Sequence, residues 1–591
     1  MKSVSLRSAI ALALAAVLSG TVVHAQSTTG SIIGQAPVVS GETVLIQGSN
    51  GLTREVPVDS RGRYSAVSLP LATYTVSLQQ NGKTLDTRDH VTLRVGIATN
   101  VSFSATASAN TSPAGVQQLS TVSVSANALP PIDVTSTGSS TIITAEQMAR
   151  LPLARTAEAV ALLAPGALPA STYFHGAMGN TLVSFSGSAA TENAYYINGF
   201  NTTDPLSGFG GITLPYGAVE QEEILNGGYS AAYGRSDGGV ISQVGKRGTN
   251  QWHFGAQVLW QPAFAQNDQR NIYYARGSKA GQIFQRKNQN KSWETTVDAY
   301  AGGPLIKDRL YVFAAVEAKQ QQGNTISDKS STPANTRYTY KDPKSYLKLD
   351  WNINDSNILE LTGVSQTHRS DASDYAYDYD SGSTGGFVSK DTTNKTSAKI
   401  YVAKFTSYIT DDLTLSAMYG KSSIDYFTQV PDSGVDGPSI RGLDQENPAY
   451  VGNQPRTNGQ TIDVVNNPSH RSTNRNLRLD LTYKIGDHSI TAGIDNQDSH
   501  DIDDGATIGS GYELWYGKGD PNTDISESPF VDAPGKYPGG EEGYFGYIRH
   551  YSNSASVRVK QRAQYVEDHW QVTDRLMLQL GIRNDQFTNY N

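Results

Sequence analysis

Cysteine is absent from all 591 residues, which excludes a disulfide framework, a thiolate metal site, a thiol nucleophile and a lipid anchor built on an N-terminal cysteine. Apolar runs long enough to cross a membrane as a helix, about 20 residues, are also missing. The apolar stretch Ala9 to Leu18 is shorter; it follows Lys2 and Arg7 and leads to Val23-His24-Ala25. That is the pattern of a secretory signal peptide, residues 1–25, cut after Ala25. A chain of this kind can enter a membrane only as strands. There is no basic run, and the net charge is −8, which argues against a nucleic-acid partner held by phosphate contacts. No HExxH, CxxC or Walker sequence occurs, so no cofactor, no metal ligand set and no catalytic residue is assigned. Gly234-Arg235-Ser236-Asp237-Gly238 fits G-x-S-x-G, but Gly238-Gly239-Val240-Ile241 runs straight into a strand rather than the helix a nucleophilic serine requires. The chain is not expected to be an enzyme.

What is present is glycine, 56 residues, and tyrosine, 32 residues, in keeping with a mainly β protein carrying large polar loops. Short strand-like runs recur at Thr43 to Gln47, Arg63 to Ser68, Thr73 to Gln79, Val91 to Val95 and Asn100 to Ser104, punctuated by glycine and asparagine. They predict an N-terminal β-sandwich over residues 28–106. Asp59-Ser60-Arg61-Gly62-Arg63-Tyr64, followed by Leu69-Pro70-Leu71-Ala72-Thr73-Tyr74, resembles the carboxypeptidase regulatory-like fold: a tight Asp/Gly turn, an aromatic dropped into the core, then a bend at proline. Residues 107–128 are rich in Ser, Ala and Thr and too poor in bulky apolar groups to fold alone, so they read as a linker. Within it lies the alternating, β-prone heptad Ser120-Thr121-Val122-Ser123-Val124-Ser125-Ala126.

Thr144-Ala145-Glu146-Gln147 has capping-box spacing and starts a short helix that ends near Leu151-Pro152. Thr156 caps a second helix, Ala157 to Leu163, stopped by Pro165-Gly166. Strands follow at Leu182 to Ser186 and Ala194 to Ile197, giving an α+β unit over residues 129–248. Asn193 to Asp204, NAYYINGFNTTD, and Gly228 to Asn250, GYSAAYGRSDGGVISQVGKRGTN, resemble the end of the plug of TonB-dependent outer-membrane receptors. With the N-terminal sandwich, the resemblance is to the Oar-like branch. It implies that Thr121, Val122, Ser123, Val124, Ser125 and Ala126 form a TonB box, which adds as an edge strand to a TonB-type energy-transducing protein in the periplasm. It also implies that Tyr229, Tyr233, Gly234, Arg235, Gly238 and Gly239 anchor the plug, the glycines as turn formers and Arg235 by pairing with wall carboxylates.

From residue 251 to 591 the pattern is strand and loop. Leu477, Leu479, Leu481 and Tyr483 alternate with Arg478, Asp480 and Thr482. Leu347, Leu349 and Trp351 alternate with Lys348 and Asp350. Leu413, Leu415, Ala417 and Tyr419, and Leu576, Leu578, Leu580 and Ile582, repeat the pattern. One greasy and one charged face per strand fits an antiparallel transmembrane β-barrel facing outer-membrane lipid. Strands near Trp252, Trp293, Leu310, Leu347, Leu359, Tyr401, Leu413, Leu477, Ile490, Val566 and Leu578 make about eleven, where barrels of this class have about 22. An incomplete barrel, and so a fragment of a longer receptor, is expected. Trp293, Tyr311, Phe313, Trp351, Tyr401, Tyr419, Tyr483 and Trp570 are expected at the interfacial girdles.

Asp371 to Asp380, DASDYAYDYD, reads as an outer loop. Its Asp374, Tyr375, Tyr377 and Asp378 are the candidates for contacts with an unknown extracellular ligand, exposed tyrosines stacking on its rings. Asp501-Ile502-Asp503-Asp504-Gly505 is oxygen-rich but lacks the glutamate that closes a calcium loop, and reads as a solvated acidic loop. The function expected is ligand import across a Gram-negative outer membrane; the alternative is a surface adhesion or interaction protein that transports nothing.

Overall fold

A computed structural model describes residues 28–103 and 138–590, apart from 172–174, 206, 235, 237, 330–332, 391–392, 430–436, 453, 455, 459, 461–463, 523–541 and 574–575. The signal peptide, the TonB-box heptad and Arg235 lie outside the described residues.

The first seven strands are β1 (Thr29–Gln35), β2 (Glu42–Gly48), β3 (Thr53–Pro57), β4 (Arg63–Pro70), β5 (Thr73–Gln80), β6 (Lys83–Thr92) and β7 (Ala98–Asn100). They form two sheets, β4-β1-β7 and β3-β2-β5-β6, facing across a core of Ile32, Val44, Ile46, Leu69 and Val76. The Asp59 turn closes as expected: its carboxylate accepts the amides of Arg61 and Arg63, each at 2.8 Å, and Gly62 takes a φ of +76° that a side chain would resist. Tyr64 and Tyr74 are buried, the latter donating its hydroxyl to the Pro70 carbonyl at 2.7 Å. Two strand expectations shift. Val91 to Val95 is the end of β6 plus a non-strand segment, and Asn100 to Ser104 meets only the last residue of β7. Strands β1 and β3 add to the predicted set.

The second unit has a five-stranded sheet, ordered β12-β11-β14-β13-β8, from β8 (Ser140–Thr144), β11 (Ala194–Ile197), β12 (Phe200–Asn201), β13 (Val219–Leu225) and β14 (Val240–Gly245); β9 (Ala167–Ser171) and β10 (Leu182–Phe185) pair beside it. The capping box is formed: the Gln147 amide donates to Thr144 Oγ1 at 3.4 Å and the Thr144 amide to Gln147 Oε1 at 2.9 Å. Thr156 caps the next helix through the Ala159 amide at 3.2 Å. β13 and β14 are buried along almost their whole length, because this unit fills the lumen of the third.

That third unit is an open antiparallel meander of eleven strands along its main path: β15 (His253–Gln261), β18 (Ser292–Ile306), β19 (Leu310–Ile326), β20 (Ala334–Asn354), β21 (Asn357–Asp378), β23 (Thr393–Tyr408), β24 (Leu413–Gln429), β27 (Arg471–Ile485), β28 (His488–Ile508), β31 (Ser552–Thr573) and β32 (Leu576–Tyr590). Each carries one of the eleven predicted positions or begins beside it. Small strands decorate it: β16 (Ile272–Tyr273), β17 (Ile283–Gln285), β22 (Ser383–Lys390), β25 (Ser439–Arg441), β26 (Val464–Asn466), β29 (Glu513–Lys518) and β30 (Tyr544–Arg549). Side-chain parity follows the prediction, with Leu347, Leu477, Leu479, Leu578 and Ile582 outside and Lys348, Asp350, Arg478 and Asp480 buried inside. No helix among the described residues is long and apolar enough to cross a membrane.

Three expectations about this sheet are corrected, the first being that Asp501 to Gly505 is a solvated acidic loop: it lies within β28 and Asp501 is buried. Tyr311 and Phe313 are not girdle residues but point inward, 0% and 3% exposed, on the parity of Glu317. Asp371 to Asp380 is not a loop: β21 runs on through Asp378 and turns back into β22, so the barrel wall extends beyond the membrane band.

Candidate functional site

The inner face of the wall carries two pairs of directly opposed carboxylates. Asp298 on β18 faces Glu317 on β19, and Asp350 on β20 faces Glu360 on β21. Like charges opposite one another across strands repel, and both pairs are buried. Each is bridged by an arginine of the lumen-filling unit. Arg155, held just before the helix cap Thr156, reaches Asp298 at 2.7 Å and Glu317 at 3.5 Å, its guanidinium 4.4 Å from the Tyr216 ring centroid. Arg247, between β14 and β15, reaches Glu360 at 2.7 Å and Asp350 at 3.8 Å. Burial opposes its charge, but Asp350 and Glu360 outweigh that and hold its pKa above the ordinary arginine value. Lys344 and Lys348 complete the two clusters from the wall, at 3.2 Å to Glu317 and 2.9 Å to Glu360.

The described part of the predicted anchoring segment makes a third contact, in which the wall supplies the arginine. Arg583 on β32 reaches inward, donating to the carbonyls of Ala231 and Ala232 at 3.3 and 3.2 Å while pairing with Asp585 and Asp495 of the wall. Gly234 leaves room for it: a Cβ there would lie 2.6 Å from the guanidinium carbon. Gly238 and Gly239 are likewise close-approach residues rather than turn formers, since a Cβ on Gly239 would meet Phe185 at 2.2 Å and one on Gly238 would meet Asn193 Oδ1 at 2.6 Å. Tyr229 donates to the Gly238 carbonyl, and Tyr233 packs edge-on against Tyr196 at 5.7 Å between centroids. The Ser236 hydroxyl lies 3.1 Å from the carbonyls of Glu192 and Gly239, a backbone-bracing position.

The plug-like unit holds three buried carboxyls, Glu158 and Glu222 fully enclosed and Glu223 at the edge of a cavity. Burial pushes Glu158 up to about 7 and Glu223 up to about 8, and Glu222 well above the usual carboxylate range. Asn180 donates to Glu158 and Gln243 to Glu222 at 2.9 Å.

At the short-turn end of the wall the N-terminal sandwich closes the lumen. Arg63 and Arg61 pair with Asp487 at 2.6 and 3.1 Å, and Arg54 lies 4.1 Å from the Tyr408 ring centroid. Gln221 of β13 accepts from the Val95 amide at 2.9 Å and donates to the Leu93 carbonyl at 2.8 Å. A cavity of about 1000 Å³ lies where sandwich, plug-like unit and wall meet, lined by Arg94, Glu223, Tyr233, Lys404, Asp480 and Glu567.

The four ligand candidates are dispersed. Only Tyr375 lines the pocket of about 650 Å³ on this part of the wall, beside Trp293, Arg337 and Asp371; the Arg337 guanidinium sits 4.3 Å from its ring centroid. Tyr377 is buried and bonded to Gln289 at 2.6 Å, so it is not an exposed stacking surface. Asp374 accepts from Thr336 at 2.5 Å, and Asp378 accepts the amides of Asp380 and Ser381 at the hairpin turn.

Residues 133–241 match the family described as TonB-dependent Receptor Plug Domain, and residues 324–591 the one described as Outer membrane beta barrel domain. The chain is 28% identical over 383 residues to the TonB-dependent transporter Oar of Myxococcus xanthus, covering 58% of this chain and 34% of that protein. It therefore spans about a third of the length of that relative. The crystal structure of the outer membrane transporter YddB from Escherichia coli superimposes with a TM-score of 0.52 at 15% identity, over 76% of this chain and 56% of that one. That likeness is one of fold.

Proposed function

The chain belongs to the TonB-dependent receptors of the Gram-negative outer membrane, and on that premise we propose that it binds an extracellular ligand and imports it when a TonB-type partner pulls on the linker before β8. Members of this family are receptors and transporters rather than enzymes. The observation that carries the reading is the pair of plug arginines set between opposed wall carboxylates. A permanent stopper would be better served by an apolar seam, since a buried ion pair costs desolvation and is often matched or bettered by hydrophobic packing. Charge pairs give a seal that holds its register and can be broken and remade.

Coupling is assigned to Thr121, Val122, Ser123, Val124, Ser125 and Ala126 by their alternation and their place between sandwich and plug. Strand addition supplies main-chain hydrogen bonds for affinity and alternate side chains for selectivity. A peptide of residues 117–129 titrated into the periplasmic domain of the host's TonB-type protein should bind saturably, and Val122→Pro should abolish binding because proline removes a ladder donor. A wild-type peptide that fails to bind would end the coupling assignment. In cells, deletion of Ser120 to Ala126 from the complete gene should stop uptake; a deletion without effect favours the adhesion reading, to which this segment is indifferent.

A further inference from the structure

We propose that His470, Asp501 and Asp504 form a binding site for a divalent first-row transition-metal ion at the outer end of the lumen, braced against the plug. The three side chains offer one imidazole nitrogen and two carboxylate oxygens, all within 4.8 Å of one another. His470 Nε2 lies 3.2 Å from Asp501 Oδ1 and 3.7 Å from Asp504 Oδ1. Ligand atoms about 2.05 Å from a tetrahedral ion stand roughly 3.4 Å apart, so the spacing brackets what such an ion needs.

At the buried Asp501, donors and acceptors do not balance without a cation. One ring nitrogen can satisfy one oxygen, yet two carboxylates converge on it. Asp501 is 4% exposed; its Oδ1 also takes the Ser472 hydroxyl, while its Oδ2 is sealed from solvent with no hydrogen-bond partner. A buried carboxylate oxygen left unpaired is costly. A metal ion would neutralise both acids and use that oxygen or its neighbour as a ligand.

The backbone is shaped to bring the acids together. In a regular strand, residues three apart point to opposite faces. Between Asp501 and Asp504 the register of β28 against β31 slips, and Asp503 adopts a φ of +54°, so that both carboxylates meet His470. Bulges re-aim side chains in this way. The imidazole is held by Tyr426, stacked on it at 4.1 Å with planes 14° apart, and the Tyr426 hydroxyl donates to Asp204 of the plug at 3.0 Å. Mixed nitrogen and carboxylate donors suit zinc-like ions rather than calcium, which takes oxygen alone. The site does not depend on the transport reading.

The test is calorimetric titration of Zn²⁺ into the untagged full chain, purified in detergent and stripped with chelator, with folding checked by circular dichroism. One saturable site in the micromolar range or tighter is expected. His470→Gln and the half-exposed Asp504→Asn should each weaken it at least about tenfold, and millimolar Ca²⁺ should not displace Zn²⁺. Failure of the wild-type chain to saturate at one equivalent, displacement by Ca²⁺, or unchanged binding in folded Asp504→Asn would overturn the proposal.

Discussion

Arg247 stands between Asp350 and Glu360, carboxylates that the barrel places opposite each other out of reach of water. Arg247→Gln leaves two acids to the wall lysines Lys348 and Lys404, and breaking a buried pair on one side costs about 3–5 kcal/mol. Faster hydrogen exchange in plug peptides, with the barrel's resistance to SDS at room temperature unchanged, is the expected outcome; an unchanged exchange rate would remove Arg247 from the latch. The buried acids Glu158 and Glu223 give a second prediction at this scale. Their folded pKa values, raised by burial to about 7 and about 8 from a reference of 4.5, mean that the folded plug holds protons the unfolded chain releases. Their contribution is complete below about pH 4.5 and lost as pH rises through 7 and 8, with a slope of about 1.4 kcal/mol per pH unit for each group. Plug exchange, corrected for intrinsic rates, should therefore be slower at pH 5 than at pH 8.5, and Glu223→Gln should flatten that difference.

In the sheets, what could be read in advance was whatever repeats every two residues. All eleven wall strands declared themselves through alternation, because lipid on one side and a polar lumen on the other impose opposite chemistry on neighbouring residues. The same parity places Tyr311 and Phe313 inside with Glu317, against the girdle position that their aromatic type suggests. Asp371 to Asp380 read as a loop because its polar face carries no lipid signal once β21 passes the membrane band. Strands β1 and β3 are short, and β6 hid its extent in the polar run Lys83 to His90. The latch was out of reach altogether: Arg247 and Glu360 are 113 positions apart, and nothing local connects them. Parity also yields a prediction for β27. Leu479→Arg puts a guanidinium on the lipid face, at about 2–4 kcal/mol near the midplane, and should reduce membrane assembly measured by heat-modifiable gel mobility. Thr482→Arg, on the opposite face, should assemble more nearly like wild type.

Across the whole molecule the linker before β8 is tied at one end to the sandwich, which ends its described part at Phe103, and at the other to the plug, which resumes at Gly138. Among the described residues β8 is the edge of the plug sheet and pairs with β13 alone, over five residues. A pull on the linker therefore loads that edge strand first, where bonds part in sequence, while the barrel meander shares its load across long ladders. The absence of cysteine makes this measurable with a single engineered bridge. A Cβ on Gly581 of β32 would lie 3.1 Å from Ala231 Cβ, and a small outward shift reaches the separation of about 3.8 Å that a disulfide requires. In single-molecule pulling from Ser125, with the barrel held in a bilayer, the reduced Ala231→Cys/Gly581→Cys variant should extend as far as β15. Once oxidised it should stop at the bridge, about 80 Å short at about 3.6 Å per residue, and reductant should restore the difference. If the reduced chain instead withdraws strands of the wall before any of the plug, the charge-pair latch is no weaker than the barrel, and a movable plug is not what this fold contains.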